Sequence, residues 1–355
     1  MSFKINKKKK VLVTGGTGFI AGWIIKHLVE EGVTVHATVR DPDDKQKVAH
    51  LVELSENNPG EIILFKSDLL ERGSFNAAAK GCNIVFHTAS PFLFKFNDPM
   101  KDLINPAFEG TKNVLEAVNF TDSVERVVLT SSCAAIYGDA NECEHAPNNT
   151  LTEAIWNNTS SASHQPYSYG KTIAEREAWK LADAQKRWSL VAINPPVVLG
   201  PTVSGKSTSA SHDLCLQIGD GTMKSGAPPF EVGMVDVRDV ADAHIRAAYI
   251  SKAAGRHIVF KETTTPLKLS QMLQEKYGQN YPLPTKELPK WLVWLVGPLL
   301  DKTMTRRLIA KNMGHKWRAD NSKSREELGI EYRSLDSSIN EMFQQMIDQG
   351  YIKPL

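Results

Sequence analysis

The chain has only four cysteines in 355 residues, and Cys82, Cys133, Cys143 and Cys215 form no Cys-x-x-Cys pair. A zinc site built from cysteine is therefore not expected, and a chain this long needs no disulfide framework to fold. The four read as reduced thiols, and no metal site is expected. Charge of one sign is missing too: 42 Lys and Arg balance 40 Asp and Glu, for a net charge of +2. No basic surplus of the kind that nucleic-acid binders carry is left over. No apolar run reaches the roughly 20 residues of a membrane span. Trp291 to Leu300 comes nearest, and it reads as a helix of a small lobe in preference to a membrane-surface anchor. The N-terminus lacks the small-residue cleavage site of a secretory signal. Internal repeats and low-complexity linkers are absent. The expectation is a cytoplasmic protein with no nucleic-acid partner and no membrane insertion.

What remains is an ordinary globular composition, 41% hydrophobic and 23% charged. Short apolar runs alternate with helical patterns over the first two-thirds. Val11 to Thr14, Val33 to Arg40, Ile62 to Lys66, Ile84 to His87, Val127 to Ser131 and Leu190 to Asn194 read as strands. Ile20 to Glu31, Asp102 to Asn119 and Tyr167 to Lys186 read as helices, with Gly32 stopping the first. Continuous apolar strands alternating with helices indicate an α/β fold, a doubly wound parallel sheet covered on both faces. After Gly200 the texture changes. Pro201 to Pro229 is rich in Ser, Gly, Thr and Pro, and Pro282 to Leu355 is mostly helical. Val235 to Ile250 is a strand followed by a helix, with Asp239 as its expected N-cap. The expected division is a first domain over residues 1–200 with a returning segment at about 233–260. Residues 201–232 and 261–355 then form a smaller lobe that closes a cleft over the strand ends.

Val11-Leu12-Val13-Thr14-Gly15-Gly16-Thr17-Gly18-Phe19-Ile20-Ala21 is a strand, a glycine turn and a helix start. Glycine supplies positive φ and lets backbone N–H groups approach a pyrophosphate at the helix N-terminus. That context indicates a dinucleotide site with contacts from Gly15, Thr17, Gly18, Phe19 and Ile20. The second strand ends at Arg40, where an NAD site usually carries an acidic residue. A guanidinium suits a 2′-phosphate, so NADP(H) is favoured over NAD(H), with Asp41, Asp43 and Asp44 opposing it. Asp68 ends the third strand and can take the adenine amino group or cap the next helix, with Leu69 against the ring.

Tyr167 and Lys171 stand four apart and share a helix face. A lysine ammonium favours the phenolate and should bring the tyrosine pKa down from about 10. Ser131-Ser132 ends an earlier strand and can bring a hydroxyl to the same point. The order of glycine turn, strand-end serines and Tyr-x-x-x-Lys makes the combination specific where each part alone is weak.

Those segments, together with Ala37 to Pro42, His87 to Pro91, Asn194 to Pro201 and Val235 to Ala241, resemble the extended short-chain dehydrogenases/reductases. The resemblance is to the branch with dihydroflavonol reductases, cinnamoyl-CoA reductases and yeast-type carbonyl reductases, within the NAD-dependent epimerase/dehydratase superfamily. It covers nearly the whole chain and weakens after about residue 260. It implies a Rossmann fold and makes Ser132, Tyr167 and Lys171 catalytic, with Lys171 also on the nicotinamide ribose. It assigns the 2′-phosphate to Arg40 and Lys47, places Thr88, Ala89 and Ser90 beside the cofactor, and sets Pro195 and Val198 against the nicotinamide. Ser211 is implied at the phosphates. Cys133 replaces a usual alanine and is a candidate pocket residue, although packing is the favoured role.

The expected activity is NADPH-dependent reduction of an aldehyde or ketone, with Tyr167 as proton donor. A 3β-hydroxysteroid-type dehydrogenase and a sugar-nucleotide epimerase or dehydratase use the same three residues, and an NADP-sensing scaffold is the non-enzyme alternative. The small-molecule carbonyl substrate should meet Phe92 to Phe96, Cys133-Ala134 and a loop from Thr202 to Pro229. A monomer is favoured over a homodimer, because Arg176, Trp179 and Lys180 break up the outward face of a pairing helix.

Overall fold

The computed structural model describes residues 3–90, 97–205, 209–300 and 303–355. Its first part alternates strand and helix: β1 (Val11–Thr14), α1 (Phe19–Glu30), β2 (Thr34–Val39), α2 (Lys45–Asn57), β3 (Glu61–Lys66), the short α3 (Asn76–Ala79), β4 (Ile84–His87), α4 (Asn105–Asn119), β5 (Arg126–Thr130), α5 (Pro166–Asp183) and β6 (Ser189–Asn194). There follow β7 (Val197–Leu199), α6 (Ala210–Gly219), β8 (Val232–Asp236), α7 (Val237–Tyr249), β9 (Gly255–Ile258) and β10 (Glu262–Thr264). The chain ends in helices α8 (Pro266–Tyr277), α9 (Lys290–Leu300), α10 (Arg306–Asn312), α11 (Ser322–Glu327) and α12 (Leu335–Asp348).

Seven strands form one parallel sheet in the order β3-β2-β1-β4-β5-β6-β9, the doubly wound arrangement expected. Successive side chains of a strand point to opposite faces. Val11 and Val13 accordingly join the core under α1 and α7, with Ile24, Leu28 and Val240. Leu12 between them joins the core under α4 and α5, with Val114, Val118 and Ala178. Continuous apolar strands are thus the sequence mark of a sheet buried on both faces. A second sheet, β10-β8-β7, carries the lobe, whose core gathers Leu199, Ile218, Leu273 and Phe343. Within the segment 233–260, β9 joins the large sheet and α7 packs on it, while β8 lies in the small sheet.

Three local expectations are corrected. Asp236, not Asp239, caps α7: its carboxylate accepts the Arg238 N–H at 2.7 Å. Asp239 lies inside the helix, buried and paired with Arg333 of the C-terminal segment. The helix expected from Asp102 starts as a π-helical turn at Met100–Ile104 before α4. Pro106 has no N–H to return to Asp102, which loosens that turn. The stretch 202–229 is not one loop, because Ser209 caps α6 and Cys215 and Ile218 anchor it in the lobe core. Trp291 to Leu300 is the helix expected, α9, and Val293 is its one buried residue.

Candidate active site

Strand order reverses between β1 and β4, so a crevice opens above their carboxyl ends. The glycine turn lies there. Gly15 has φ +70, and a Cβ on it would come 3.1 Å from the Ala89 backbone. The turn is fixed to β2: the Gly15 N–H reaches Thr38 Oγ1 at 3.1 Å and the Gly16 N–H the Thr38 carbonyl at 2.8 Å. α1 then begins after Gly18 with no side-chain cap and no acidic residue in its first turn. Its leading N–H groups remain available to an anion, with Thr17, Phe19 and Ile20 partly exposed around them. Thr14 Oγ1 accepts the N–H groups of Thr88 and Ala89 at 3.1 and 3.0 Å, which joins the ends of β1 and β4.

Arg40 follows β2 in a bend, exposed, with no ion pair among the described residues. Lys47 is exposed as well, but its ammonium pairs with Asp44 at 2.8 Å. Asp44 also caps α2, and the bonds from Lys47 hold its carboxyl below the usual range. Asp68 caps no helix: its carboxylate accepts the Leu70 N–H at 2.8 Å, and the next helix begins only at Asn76. Leu69 packs against Gly110 of α4, where an added Cβ would lie 2.9 Å from it. Ser211 is buried in the first turn of α6, and the neighbouring His212 meets Phe19 edge-on at 5.4 Å.

Ser132, Tyr167 and Lys171 come together at the ends of β5 and α5. The Ser132 side chain lies beside the Tyr167 hydroxyl and favours its phenolate. Ser132 Oγ also accepts the Ala134 N–H at 3.1 Å and faces the Pro195 carbonyl at 3.4 Å. Ser131 points the other way and donates to the buried Glu175. The second serine of the pair is thus the one that meets the tyrosine. Lys171 is buried, with its ammonium 3.3 Å from the Thr130 carbonyl, and it lines a small cavity with Ser90 and Thr130. The expected lowering of the Tyr167 pKa is not found. Burial pushes the phenol up to about 12, against Ser132, which favours the phenolate. Burial pushes Lys171 down to about 8, which the Glu175 carboxylate partly offsets.

Val198 lies in β7 of the small sheet, just beyond Pro195. Cys133 is buried, its thiol donates to the Asn194 carbonyl at 3.2 Å, and it packs with Ile136, Cys143 and Trp317. It belongs to a core and does not line a pocket. Phe92 lies outside the described residues.

Two groups escaped the sequence reading. Glu175 is fully buried and takes Arg256 Nε at 2.7 Å and Asn194 Nδ2 at 2.9 Å besides Ser131. A second four-residue step after Lys171 places it on the face of Tyr167 and Lys171, a signal that was available. Arg256 arrives from β9 and gave none. Asp139, also fully buried, takes His164 Nε2 at 2.6 Å, Asn312 Nδ2 at 2.8 Å and Gln165 Nε2 at 3.2 Å. It ties the start of α5 to α10 of the lobe.

Residues 11–259 match the model of the NAD dependent epimerase/dehydratase family. A cinnamoyl-CoA reductase of Medicago truncatula is 39% identical over 79% of this chain and 82% of that protein. Tetraketide alpha-pyrone reductase 1 of Arabidopsis thaliana is 33% identical over 97% of both chains. Among solved structures, Gre2 of Candida albicans in complex with NADPH superposes with a TM-score of 0.77 at 30% identity, covering 96% of this chain and 99% of that one. The family model and these relatives settle the membership: the chain belongs to the NAD-dependent epimerase/dehydratase family.

Proposed function

We propose that this protein is an NADPH-dependent reductase of an aldehyde or ketone, acting in the cytoplasm as a monomer. The observation that carries the reading is that Ser132 stands beside Tyr167 and near Lys171, whose small cavity also takes in Ala89 and Ser90 at the end of β4. The residues present fit the cofactor: Gly15 holds a positive φ against Ala89 where a side chain would not fit, the start of α1 is uncapped, and Arg40 is unpaired among the described residues. Gly15, Thr17, Gly18, Phe19, Ile20 and Ser211 would hold the pyrophosphate, Arg40 the 2′-phosphate with Lys47 as a lesser contact, and Asp68 and Leu69 the adenine. Thr88, Ala89, Ser90, Pro195 and Val198 would flank the nicotinamide end. When bound, NADPH supplies hydride to the carbonyl carbon.

Tyr167 donates its proton to the carbonyl oxygen as negative charge develops there, and Ser132 hydrogen-bonds the same oxygen. A phenol held at about 12 is protonated at neutral pH, the form a reduction needs. Lys171 binds the nicotinamide ribose and lends positive charge below about pH 8. Above that pH it loses its proton, so kcat/KM for reduction should fall along a basic limb near pH 8. A profile flat through that region would show that the Lys171 charge has no part in the step. Four buried, unpaired thiols suit a reducing compartment.

The test is a panel of aromatic and aliphatic aldehydes and ketones, with a CoA thioester included, run with NADPH and with NADH. A preference for NADPH of roughly 10- to 100-fold in kcat/KM is expected, because charge-assisted bonds contribute about 1.5–3 kcal/mol each. Arg40→Ala should remove most of that preference and leave NADH nearly unchanged. Equal loss with both cofactors would show that Arg40 does not read the 2′-phosphate. No turnover of any carbonyl with either cofactor would sink the reading.

A further inference from the structure

The apolar stripe of α9 faces outward. Trp291, Trp294, Leu295 and Leu299 recur at the i, i+3, i+4, i+8 spacing that normally turns toward a core. Here they are 67%, 41%, 51% and 83% exposed, and Leu300 beyond them is 83% exposed. The opposite face supplies Val293, which packs with Ile309 and Met313 and so fixes the helix to α10. From Trp291 to Leu300 there is no charged residue. The rim is cationic. Lys286 and Lys290 precede the stripe, and Arg306 and Arg307 follow it, all exposed; among the described residues of this segment, 284–310, Glu287 is the one exposed acid, and Asp301 and Lys302 lie outside the described residues. The Arg306 guanidinium lies 4.6 Å from the centre of the Trp294 ring, at the edge of the stripe. Lys290 is held in place by the Ala310 and Met313 carbonyls at 3.1 and 2.6 Å.

We propose that α9 docks this protein on an anionic lipid surface, with the Trp291 to Leu299 stripe among the acyl chains and the cations at the headgroups. An 11-residue helix is far too short to span a bilayer, so the mode is attachment in the plane of the interface. Tryptophan is suited to that depth, where its ring is apolar and its N–H finds water or headgroups. The cations would meet anionic headgroups that attract them across the last few ångströms. A second copy of the chain fits less well. A two-fold contact through this stripe would bring the cations of one copy, Lys286, Arg306 and Arg307, toward those of the other. Its footprint, roughly 16 Å by 10 Å, is also small beside the about 800 Å² per partner of a stable interface. The expectation of no membrane insertion rested on the length of the run, and length does not reveal which way a helix faces.

The test uses the full chain with sucrose-loaded vesicles of phosphatidylcholine, with and without about a third of phosphatidylserine. Co-sedimentation should be at least about tenfold stronger with phosphatidylserine and should weaken with added salt. Tryptophan emission should shift to the blue on binding. Trp291→Ser with Leu299→Ser should abolish sedimentation without affecting the fold, since both side chains project into solvent. Arg306→Ser with Arg307→Ser should reduce binding to the level of pure phosphatidylcholine. Equal binding to both vesicle types, or none at low salt, would overturn the proposal. So would a concentration-dependent dimer that the Trp291 and Leu299 substitutions dissolve, since the stripe would then belong to a second copy.

Discussion

Replacing Tyr167 by Phe is expected to lower kcat by about a hundredfold or more while leaving NADPH binding nearly intact. The substitution keeps the ring and its packing and removes the one proton held at the end of β5. Ser132 would remain, with its hydroxyl beside the Pro195 carbonyl at 3.4 Å. Ser132 could then still hydrogen-bond the substrate oxygen but could not substitute as donor, because an aliphatic hydroxyl is a far weaker acid than a phenol. Tyr167→Phe therefore separates proton supply from orientation, and Ser132→Ala, which removes a hydrogen bond in place of a proton, should cost less. The measurement is single-turnover oxidation of NADPH against a carbonyl identified by the panel, with cofactor affinity from fluorescence. Near-normal turnover in Tyr167→Phe would assign the proton to another group.

The second large effect is on stability. Glu175→Ala should destabilise the protein by about 3–5 kcal/mol, the usual cost of leaving one member of a buried ion pair uncompensated. Arg256 is itself buried, is stacked 4.0 Å over the Trp156 ring and holds the Glu153 and Ile155 carbonyls at 2.9 and 2.6 Å. It cannot swing into water without releasing that whole segment. A fall in Tm of about 4–7 °C follows for a protein of this size. Glu175→Gln keeps the shape and two of the hydrogen bonds and should cost less. A Glu175→Ala protein that melts with the wild type would mean that water replaces the carboxylate at no cost.

The legible parts of this molecule were local in sequence. The glycine turn, the strand-end serines and the Tyr167 and Lys171 pair each lie within a few residues of one another, and the apolar strands announced a two-faced sheet. The failures have two physical sources. Where two similar residues compete for one role, as Asp236 and Asp239 do at the start of α7, composition does not reveal which one the backbone reaches first. Where a property belongs to the surroundings, sequence neighbours mislead. The Tyr167 pKa rises because burial outweighs any nearby charge, and Arg256 reaches Glu175 across 81 residues. Cys133 sits beside a candidate catalytic serine yet turns into a core made by Trp317, far along the chain.

The bond between Glu175 and Arg256 also sets an order of events. Glu175 lies on the helix that carries Tyr167, but its countercharge belongs to the last strand to join the large sheet. A growing chain can lay down the six earlier strands, with Ser131 and Asn194 already bonded to the Glu175 carboxylate, and still lack the Arg256 guanidinium that pairs with it. Such a centre is not settled until β9 docks, and contacts this distant in sequence are slow to form. The glycine turn and the helix that carries Tyr167 are therefore ready at different times, and completion of the site waits on the edge of the sheet farthest from β3.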